Sequence, residues 1–399
     1  MSNKCLSLSN DCSPKDFIDF GLFPVANFPT NQKKFGKYLK KNNFIKQKRL
    51  KLMICSRCKY LKLENKVNSN VLDNIYEKFY KYPSAMLNQI EPTRDNLFLK
   101  KMFKNLNFKK IKNVLEIGCY DGYILHKIKK KFPKINLYGC EPSKGANIAK
   151  KFNLNVKKKF FDEKTFKNKK FDLVILRHTL EHIYDINNIL NNIKTAMNEN
   201  SYLAIEVPNI NFYLKKGLLE VFSFQHVHYF SSKSFEVISK DYNFSMFKNF
   251  ETPENLIFFL KNKDNFSKNK KKNFSQLYSK NFLLKIKDNT LKIKKNISKY
   301  NANEIVLWGA GGFAIAATCL YKIPITSKTL IFDKDPSKHG LTLLDKSSKI
   351  MNISKNLLKK KKLIIITSYY SAQILKEIKK LNIGIMVMQI FPKIKLMKI

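Results

Sequence analysis

The sequence predicts an α/β protein with two units that each open on a strand, a glycine turn and a helix. The first is "VLEIGCYDGYIL" from Val114 and the second is "VLWGAGGFAIA" from Val306. Short apolar runs alternate with helical patterns around both, which is typical of parallel sheets with helices on both faces. A chain of 399 residues is long enough for two or three domains.

We expect four segments along the chain. Residues 1–75 are loop-rich, residues 76–260 form the first α/β domain, residues 261–300 form a helical linker, and residues 301–399 form a second Rossmann-like domain. The predicted strands of the first domain are "NVLEI", "INLYGCE", "FDLVILR", "YLAIEVP" and "NLIFFL", and those of the second are "EIVLW", "TLIFD", "KKLIIITS" and "IMVMQIF".

The linker has no Gly or Pro, and its apolar residues approximate a helical stripe. That stripe consists of Leu283, Leu284, Ile286, Leu291 and Ile293. A basic DNA-binding helix is the alternative for this segment.

The formal net charge of +46 suggests a nucleic-acid partner, but the composition argues against specific recognition. Only four basic residues are arginine, at 49, 57, 94 and 177, whereas base recognition favours the guanidinium fork. The lysines are spread over the whole chain, as expected of solvated faces. We therefore expect affinity for anionic small molecules and no specific nucleic-acid partner.

No apolar run approaches the ~18 residues that would span a membrane. The first residues, "MSNKCLSLSNDCSPKDF", have no apolar core of signal-peptide type, so we expect a cytoplasmic protein. The seven cysteines are an odd number and do not suggest a disulfide framework. Cys119, Cys140 and Cys319 lie in apolar contexts and are expected to be small core residues.

Two cysteines in "ICSRCKYLKL" have the spacing of a zinc knuckle. Cys55 and Cys58 form C-x2-C, and the other available thiols, Cys5 and Cys12, have the looser C-x6-C spacing. Four thiolates would form a closed structural Zn²⁺ site. The alternative is a pair of incidental N-terminal thiols beside a knuckle that binds no metal.

The first glycine turn is better suited to S-adenosylmethionine than to a dinucleotide. Tyr120 occupies the middle position at which a pyrophosphate needs glycine, and Glu116 before the turn would repel a phosphate. S-adenosylmethionine carries an ammonium that such an acid can bind, and Glu141 after the second strand can accept hydrogen bonds from ribose hydroxyls. We therefore predict this cofactor at Glu116, Gly118, Gly122 and Glu141. The alternative is an ordinary strand–turn–helix without a ligand.

The third strand supports a ligand site, because "FDLVILRHTLEHIYD" places His178, Glu181 and His182 just past its end. The carboxyl ends of parallel strands are where open sheets bind ligands.

These motifs together resemble the S-adenosylmethionine-dependent sugar C-methyltransferases of deoxysugar pathways, over nearly the full length. "GLFPVAN" and "CSRCKYLKL" resemble the zinc-binding module of that family. "VLEIGCYDGYIL" and "GCEPS" resemble its cofactor segments, and "EVPNINF" with "FSFQHVHYFSSKSF" its active-site stretch. "WGAGGFA" and "FDKDPSKHG" resemble its C-terminal Rossmann-like domain. The resemblance implies a class I methyltransferase fold and C-methylation of a nucleotide-linked keto-deoxysugar.

The resemblance also implies catalytic positions. A carbon beside a keto group must lose a proton before it accepts a methyl group, so a histidine base is expected, and His226 matches it. His182 matches the histidine after the third strand of the family's sheet, and Tyr82, or else Tyr80, matches an upstream tyrosine. The family's Tyr-x-Glu-His cluster is only partly present, because Gln225 replaces the glutamate and Ser223 the tyrosine. Gln225 is expected to contact the substrate, and methylation of oxygen or nitrogen stays an alternative.

The second glycine turn, "GAGGFA", satisfies G-x-G-x-x-A, and Asp333 ends the next strand. Taken alone this pattern predicts NAD binding and an oxidoreductase. The resemblance instead implies that this domain helps to bind the nucleotide sugar, with Gly309 and Gly311 at the substrate diphosphate. A non-catalytic binding or scaffold protein is the third possibility.

Overall fold

The computed structural model describes residues 14–42, 46–55, 60–64, 66–79, 84–252, 254–262, 279–344 and 347–399. The strands are β1 (Pro14–Pro24), β2 (Gln47–Cys55), β3 (Leu61–Leu63), β4 (Asn113–Ile117), β5 (Asn136–Cys140), β6 (Asn155–Lys157), β7 (Phe171–Arg177), β8 (Met197–Pro208), β9 (His228–Tyr229), β10 (Phe244–Glu251), β11 (Asn255–Asn262), β12 (Ile305–Trp308), β13 (Leu330–Phe332), β14 (Ile350–Met351), β15 (Leu363–Ile366), β16 (Met386–Gln389) and β17 (Lys395–Lys398).

The helices are α1 (Gln32–Lys41), α2 (Ser69–Phe79), α3 (Ala85–Asn88), α4 (Thr93–Asn105), α5 (Tyr123–Lys131), α6 (Gly145–Lys151), α7 (Ile186–Ala196), α8 (Ile210–Lys216), α9 (Ser232–Asp241), α10 (Ser279–Ile297), α11 (Gly312–Tyr321), α12 (Lys355–Leu358) and α13 (Ser371–Leu381). Short 3-10 turns lie at Phe108–Lys110, Leu180–His182, Ala302–Glu304 and Pro336–Lys338.

The central sheet has the strand order β10-β11-β8-β7-β4-β5-β6. Strands β8, β7, β4, β5 and β6 are parallel, and the order reverses between β4 and β7. The five apolar runs predicted for this domain are all strands, and the α/β fold class is confirmed. One sheet face buries Leu115 and Ile117, and the opposite face buries Val114.

The last run, "NLIFFL", is not parallel to the others, so that part of the prediction is wrong. Strand β11 pairs antiparallel with both β8 and β10. A tight turn explains the β10 pairing, since the Thr252 N–H donates to the Asn255 carbonyl and the Asn255 N–H to the Thr252 hydroxyl. Strands joined by so few residues can pair only in the antiparallel sense.

The N-terminal sheet has the order β1-β2-β3-β9 and is antiparallel. Strand β9 comes from the segment that carries "FSFQHVHYFS" and pairs Tyr229 with Leu61. The Leu63 N–H also donates to the Val227 carbonyl. The candidate active-site stretch is therefore the edge of the N-terminal sheet.

The C-terminal sheet has the order β14-β13-β12-β15-β16-β17 and is parallel except for β17. The four strands predicted there are present, while the short strands β14 and β17 were not predicted. Its helix α11 belongs to an apolar cluster that also contains Phe23 of β1, Leu219 after α8, and Ile293 of α10.

Helix α10 confirms the predicted helix but not the whole predicted stripe. Ile293 is buried and Ile286 is partly buried, whereas Leu283, Leu284 and Leu291 are exposed. Neighbouring elements define the buried face, because Lys285 lies against Gly217 after α8 and Asn289 donates to the Tyr321 hydroxyl of α11. Two further residues complete the buried face. Phe282 lies four residues before Ile286, and Ile297 lies four residues after Ile293, so each is about one helical turn from its neighbour on that face.

Candidate active site

The first glycine turn lies between β4 and α5 and needs glycine at two positions. Gly118 has φ +74°, and an added Cβ would lie 2.2 Å from the Thr179 Oγ1. Gly122 has φ +79°, and an added Cβ would lie 2.4 Å from the Leu154 Cδ1. Tyr120, at φ +44°, has a backbone conformation that non-glycine residues rarely adopt. The turn is therefore specified by close packing as well as by its dihedral angles.

Glu116, on β4 just before the turn, is buried and one of its carboxylate oxygens, Oε2, has no hydrogen-bond partner. Burial raises the pKa of this carboxyl well above its usual value, although the nearby Arg177 guanidinium opposes the rise. A buried acceptor without a partner suits the ammonium of a bound cofactor. The residue predicted for that contact therefore has the chemistry to make it.

Glu141, just past β5, accepts two backbone hydrogen bonds, one of them from the glycine turn. The Tyr120 N–H donates to Oε2 over 3.1 Å and the Ser143 N–H donates to Oε1 over 2.8 Å. Each carboxylate oxygen has two acceptor sites, so one on each oxygen remains for a ribose hydroxyl. The arrangement fits the predicted ribose contact.

Asp121, inside the turn, was not recognised in the sequence. Its Oδ2 accepts the Ser84 hydroxyl over 2.8 Å and the Met86 N–H over 3.0 Å, while its Oδ1 accepts the Tyr123 N–H. The carboxylate thus joins the starts of α3 and α5. An acid two residues before a predicted helix was the available signal, since such positions commonly cap helices.

A buried ion-pair group at the end of β7 and β8 was also not predicted. Arg177 Nη2 lies 2.9 Å from the Asp95 Oδ1 and 2.6 Å from the Glu206 Oε2, with its guanidinium over the Phe98 ring. These pairs attach α4 to the sheet beside Glu116. Sequence separations of 82 and 29 residues gave no local signal for them.

The end of β7 places a carboxylate among histidines. His178 has φ +47°, and its Nδ1 lies 3.5 Å from the Glu181 Oε1. The His182 Nδ1 is 2.8 Å from the Gln225 carbonyl, so that nitrogen carries the proton and Nε2 is the acceptor. Burial lowers the pKa of His182 to about 4 and raises the pKa of Glu181 to about 8.

The segment after α8 brings His226 to the same place. The His182 and His226 rings meet edge to face with centroids 4.7 Å apart. The Ser223 hydroxyl accepts the His226 N–H over 3.3 Å, so the residue in the family's tyrosine position supports the turn that presents His226. Burial, and next the charge that His182 can carry, lower the pKa of His226 well below its usual value.

Buried polar atoms without partners concentrate at this site. Eight of the eleven such side-chain atoms in the described part of the chain lie at the ends of β4, β7 and β8 or in the 223–226 segment. They are Glu116 Oε2, His178 Nε2, both carboxylate oxygens of Glu181, Asn209 Oδ1, Asn211 Oδ1, Gln225 Nε2 and His226 Nδ1. Buried polar groups in proteins normally have partners, so this concentration indicates a ligand site.

Within the described part of the chain, none of the other predicted catalytic residues or zinc ligands joins this group. Tyr82, like Tyr80, falls outside the described residues. His228 is a structural residue, because one ring nitrogen is bonded to the Tyr60 hydroxyl and the other lies 2.7 Å from the Ile183 carbonyl. Of the four predicted zinc ligands, Cys55 is buried at the end of β2, and Cys5, Cys12 and Cys58 lie outside the described residues.

The second glycine turn connects β12 to α11. Gly309 has φ +111°, and an added Cβ would meet the Ser368 Cβ and the Thr367 carbonyl oxygen at 2.8 Å. Beside Gly311 there is open space. Asp333 is engaged by the protein itself, since Oδ2 accepts the Ala310 N–H over 2.7 Å and lies 3.0 Å from the Lys338 Nζ. The acid expected to bind a dinucleotide ribose therefore already has a cationic partner.

Residues 90–249 match the family model described as a methyltransferase domain. This range contains the glycine turn, Glu141 and the histidine group. The strand order of its sheet, with the reversal at β4 and β7, places all of them at one edge. The domain is a class I S-adenosylmethionine-dependent methyltransferase domain, and the chain is an enzyme of that type.

Several solved structures are similar to less than half of this chain. A methyltransferase from Aquifex aeolicus is 20% identical, covering 46% of this chain and 99% of its own, with a TM-score of 0.37. The N-methyltransferase NodS from Bradyrhizobium japonicum is 12% identical, with coverages of 45% and 98% and a TM-score of 0.33. A methyltransferase from Clostridium acetobutylicum is 12% identical, with coverages of 48% and 98% and a TM-score of 0.34.

No curated protein matches the chain. Among the helices of the described ranges, none combines the length and the apolar character needed to cross a membrane.

Proposed function

We propose that this methyltransferase transfers a methyl group to a carbon beside a keto group on a nucleotide-linked deoxysugar. The observation that carries the proposal is the group of buried, unpartnered polar atoms on Glu181, Gln225 and His226, next to the cofactor turn. Such a group suits a polar acceptor from which a proton must be removed. A simple N-methyltransferase would need only to hold a lone pair toward the methyl group.

The proposed chemistry has two parts. His226 removes the proton from the acceptor carbon, and the electron pair of the broken C–H bond delocalises onto the keto oxygen. That pair then forms the new carbon–carbon bond, and the electrons of the old methyl–sulfur bond stay on sulfur. Bound S-adenosylmethionine supplies the electrophilic methyl group, held by Glu116, Gly118, Gly122 and Glu141.

Other residues have supporting roles in the proposal. Gln225 contributes an unpartnered amide nitrogen that can donate to the acceptor oxygen, and His182, with its Nδ1 bound to the Gln225 carbonyl, supports that segment. Tyr82 has the catalytic role that the resemblance implies. The open space next to Gly311, and the backbone of Gly309, would accept the diphosphate of the sugar carrier. The 301–399 segment then acts as a substrate-binding domain.

The test is a product analysis. The purified protein is incubated with ¹³C-methyl-labelled S-adenosylmethionine and a panel of nucleotide keto-sugars, and NMR locates the label. A methyl group on a carbon beside the keto group supports the proposal. A methyl group on oxygen or nitrogen contradicts it, while the methyltransferase assignment stays valid.

His226→Asn tests the base. General-base catalysis contributes typically 10²–10⁴-fold, so the methylation rate should fall by about that factor. The affinity for S-adenosylhomocysteine should not change, because His226 is not part of the cofactor turn. His126→Asn is the matched control, since His126 lies on α5 beside Phe152 and should keep the wild-type rate. Equal rates for the two variants would rule out His226 as the base.

A further inference from the structure

The Glu181 carboxylate is the least explained group at the candidate active site. Its side chain is 1% exposed, and neither carboxylate oxygen has a hydrogen-bond partner. Its backbone carbonyl is engaged, since it accepts the Val227 N–H over 2.8 Å. This bond joins the turn after β7 to the strand that follows His226. The carboxylate is therefore held in place by its backbone while its oxygens remain available.

Histidines surround this carboxylate. One carboxylate oxygen of Glu181 and one ring nitrogen each of His182 and His226 lie within 4.8 Å of one another, and the His178 Nδ1 is 3.5 Å from Oε1. His182 donates its Nδ1 proton to a carbonyl and is thereby oriented. His226 has an Nδ1 without a partner. His226 thus has a nitrogen available for a new hydrogen bond, and so does His178, whose Nε2 has no partner.

We propose that Glu181 and His226 act as one base, in which Glu181 is a positioning residue that orients the His226 ring and shares the proton that His226 removes. The inference rests on the proposed function for the identity of the acceptor carbon. In the proton step the C–H bond of that carbon breaks, its electron pair moves to the keto oxygen, and the proton passes to His226. The ionised Glu181 balances the charge of the imidazolium.

Because residue 225 is a glutamine, the carboxylate that stabilises a His226 imidazolium must come from another residue. Gln225 is neutral, so the residue before His226 cannot stabilise an imidazolium by charge. His226 is buried, and its low pKa makes it a weak base by itself. Coupling to a carboxylate of higher proton affinity corrects this weakness, because two interacting groups bind the proton as a pair. Glu181, with a pKa raised to about 8, has that higher affinity.

The pH dependence of proton removal follows from the directions of these two pKa shifts. Below about pH 8 the pair holds one proton and cannot accept another from substrate, so the rate of proton removal should rise with pH to a plateau above it. The charged and titratable groups that face the pair from neighbouring elements are His178, His182, Tyr229, Arg94 and Glu206. His178 and His182 have lowered pKa values and stay neutral over this range.

A shared metal ion is the competing explanation. Donors around one tetrahedral Zn²⁺, with bonds of about 2.1 Å, lie about 3.4 Å apart. One donor atom each of Glu181, His182 and His226 lies within 4.8 Å of the other two, so the same three groups could hold such an ion. Metal analysis of the variants must therefore distinguish the proton-sharing pair from a metal site.

The test is a ¹⁵N-histidine NMR titration of the full chain with S-adenosylhomocysteine bound. The chain has only six histidines, and His226→Asn assigns the relevant signals. In the wild-type protein the ¹⁵N chemical shifts of the His226 ring should show an inflection near pH 8. Glu181→Gln should abolish this inflection. Glu181→Asp should keep it, with a different midpoint pH. Glu163→Gln, at an exposed position, is the matched control and should titrate like the wild type.

Two results would overturn the pair. One is an identical His226 titration curve in the wild type and in Glu181→Gln, including a ring that stays neutral in both. The other is a bound metal that is lost from both Glu181→Gln and His226→Asn.

A second readout separates this inference from the proposed function. Thymidine diphosphate-4-keto-6-deoxyglucose is incubated in deuterated water with the S-adenosylhomocysteine complex, and loss of the proton beside the keto group is followed. Glu181→Gln should slow the exchange at least tenfold. Wild-type rates in this variant overturn the pair even if carbon methylation is established. If the wild type shows no exchange but the His226 titration still depends on Glu181, the proposed keto-sugar acceptor is wrong and the Glu181–His226 pair is not.

Discussion

Burial controls the charge of the acids at the cofactor turn. Glu116 and Glu141 both lie there, but only Glu116 has a carboxylate oxygen without a partner. The raised pKa of Glu116 means that, in the free protein, its carboxyl binds a proton more tightly than an ordinary glutamate does. The two acids should therefore respond differently to the cofactor.

Cofactor binding should release protons from Glu116. The ammonium of S-adenosylmethionine favours the ionised carboxylate and so lowers the pKa of Glu116 on binding. Affinity should accordingly increase with pH up to the pKa of the free carboxyl. Calorimetry in two buffers of different ionisation enthalpy measures the released proton, and Glu116→Gln should abolish the release. Proton release that persists in Glu116→Gln would assign it to another group.

Glu141→Ala should weaken S-adenosylhomocysteine binding. The change removes the predicted ribose contacts, each worth roughly 1.5–3 kcal/mol before compensation by water, and also frees the Tyr120 and Ser143 N–H groups. We expect a loss of at least about tenfold in Kd by calorimetry. Glu163→Ala, at an exposed position, should bind as the wild type does. Tight NADH binding in place of S-adenosylhomocysteine would contradict the cofactor site itself.

At the scale of single elements, packing rather than periodicity selects the buried face of α10. Ile293 and Leu291 are two residues apart and both apolar, yet Ile293 is fully buried and Leu291 is 59% exposed. Ile293 belongs to the cluster shared by the N-terminal sheet and the C-terminal unit.

Ile293→Ala should destabilise the protein by about 2–5 kcal/mol, the usual cost of a cavity at a buried isoleucine. Leu291→Ala should change the free energy of unfolding by less than about 0.5 kcal/mol, because the side chain is on the surface. Urea denaturation of both variants measures the difference. Equal effects would mean that the packing of α10 differs from that described.

At the scale of the whole molecule, the N-terminal sheet and the active-site segment form one structure. Strand β9 follows His226 by two residues and is the edge strand of the sheet that contains Cys55. A change in the N-terminal sheet should therefore affect catalysis. A closed four-thiolate site has no open position for substrate, so the effect of a metal there on catalysis would be indirect, through β9.

One Zn²⁺ should be present per chain in protein purified without chelator, held by Cys5, Cys12, Cys55 and Cys58. The Cys55→Ser, Cys58→Ser double variant should lose it, with a reduced methylation rate through β9. Metal analysis and activity are measured together, and Cys319→Ser is the control outside the N-terminal sheet. A stoichiometry near zero in the wild type, or metal retained in the double variant, would exclude the site.

The local pattern of the sequence was enough for the elements and for the cofactor turn. Strand β7 has the bounds of the run "FDLVILR", and Glu116, Gly118 and Glu141 lie at or next to the ends of β4 and β5, as their positions beside predicted strands indicated. These features depend on neighbouring residues, whose periodicity and turn chemistry are visible in a short stretch.

Only the tertiary structure decided how the acceptor side is built. The meeting of Glu181 with His226, the Arg177 ion pairs, the position of β9 and the buried face of α10 all join residues far apart in the chain. None follows from periodicity, because long-range contacts depend on how elements pack and not on what each residue prefers locally. The sequence by itself therefore determined the fold class and the cofactor turn, while packing determined which buried acid lies beside which histidine.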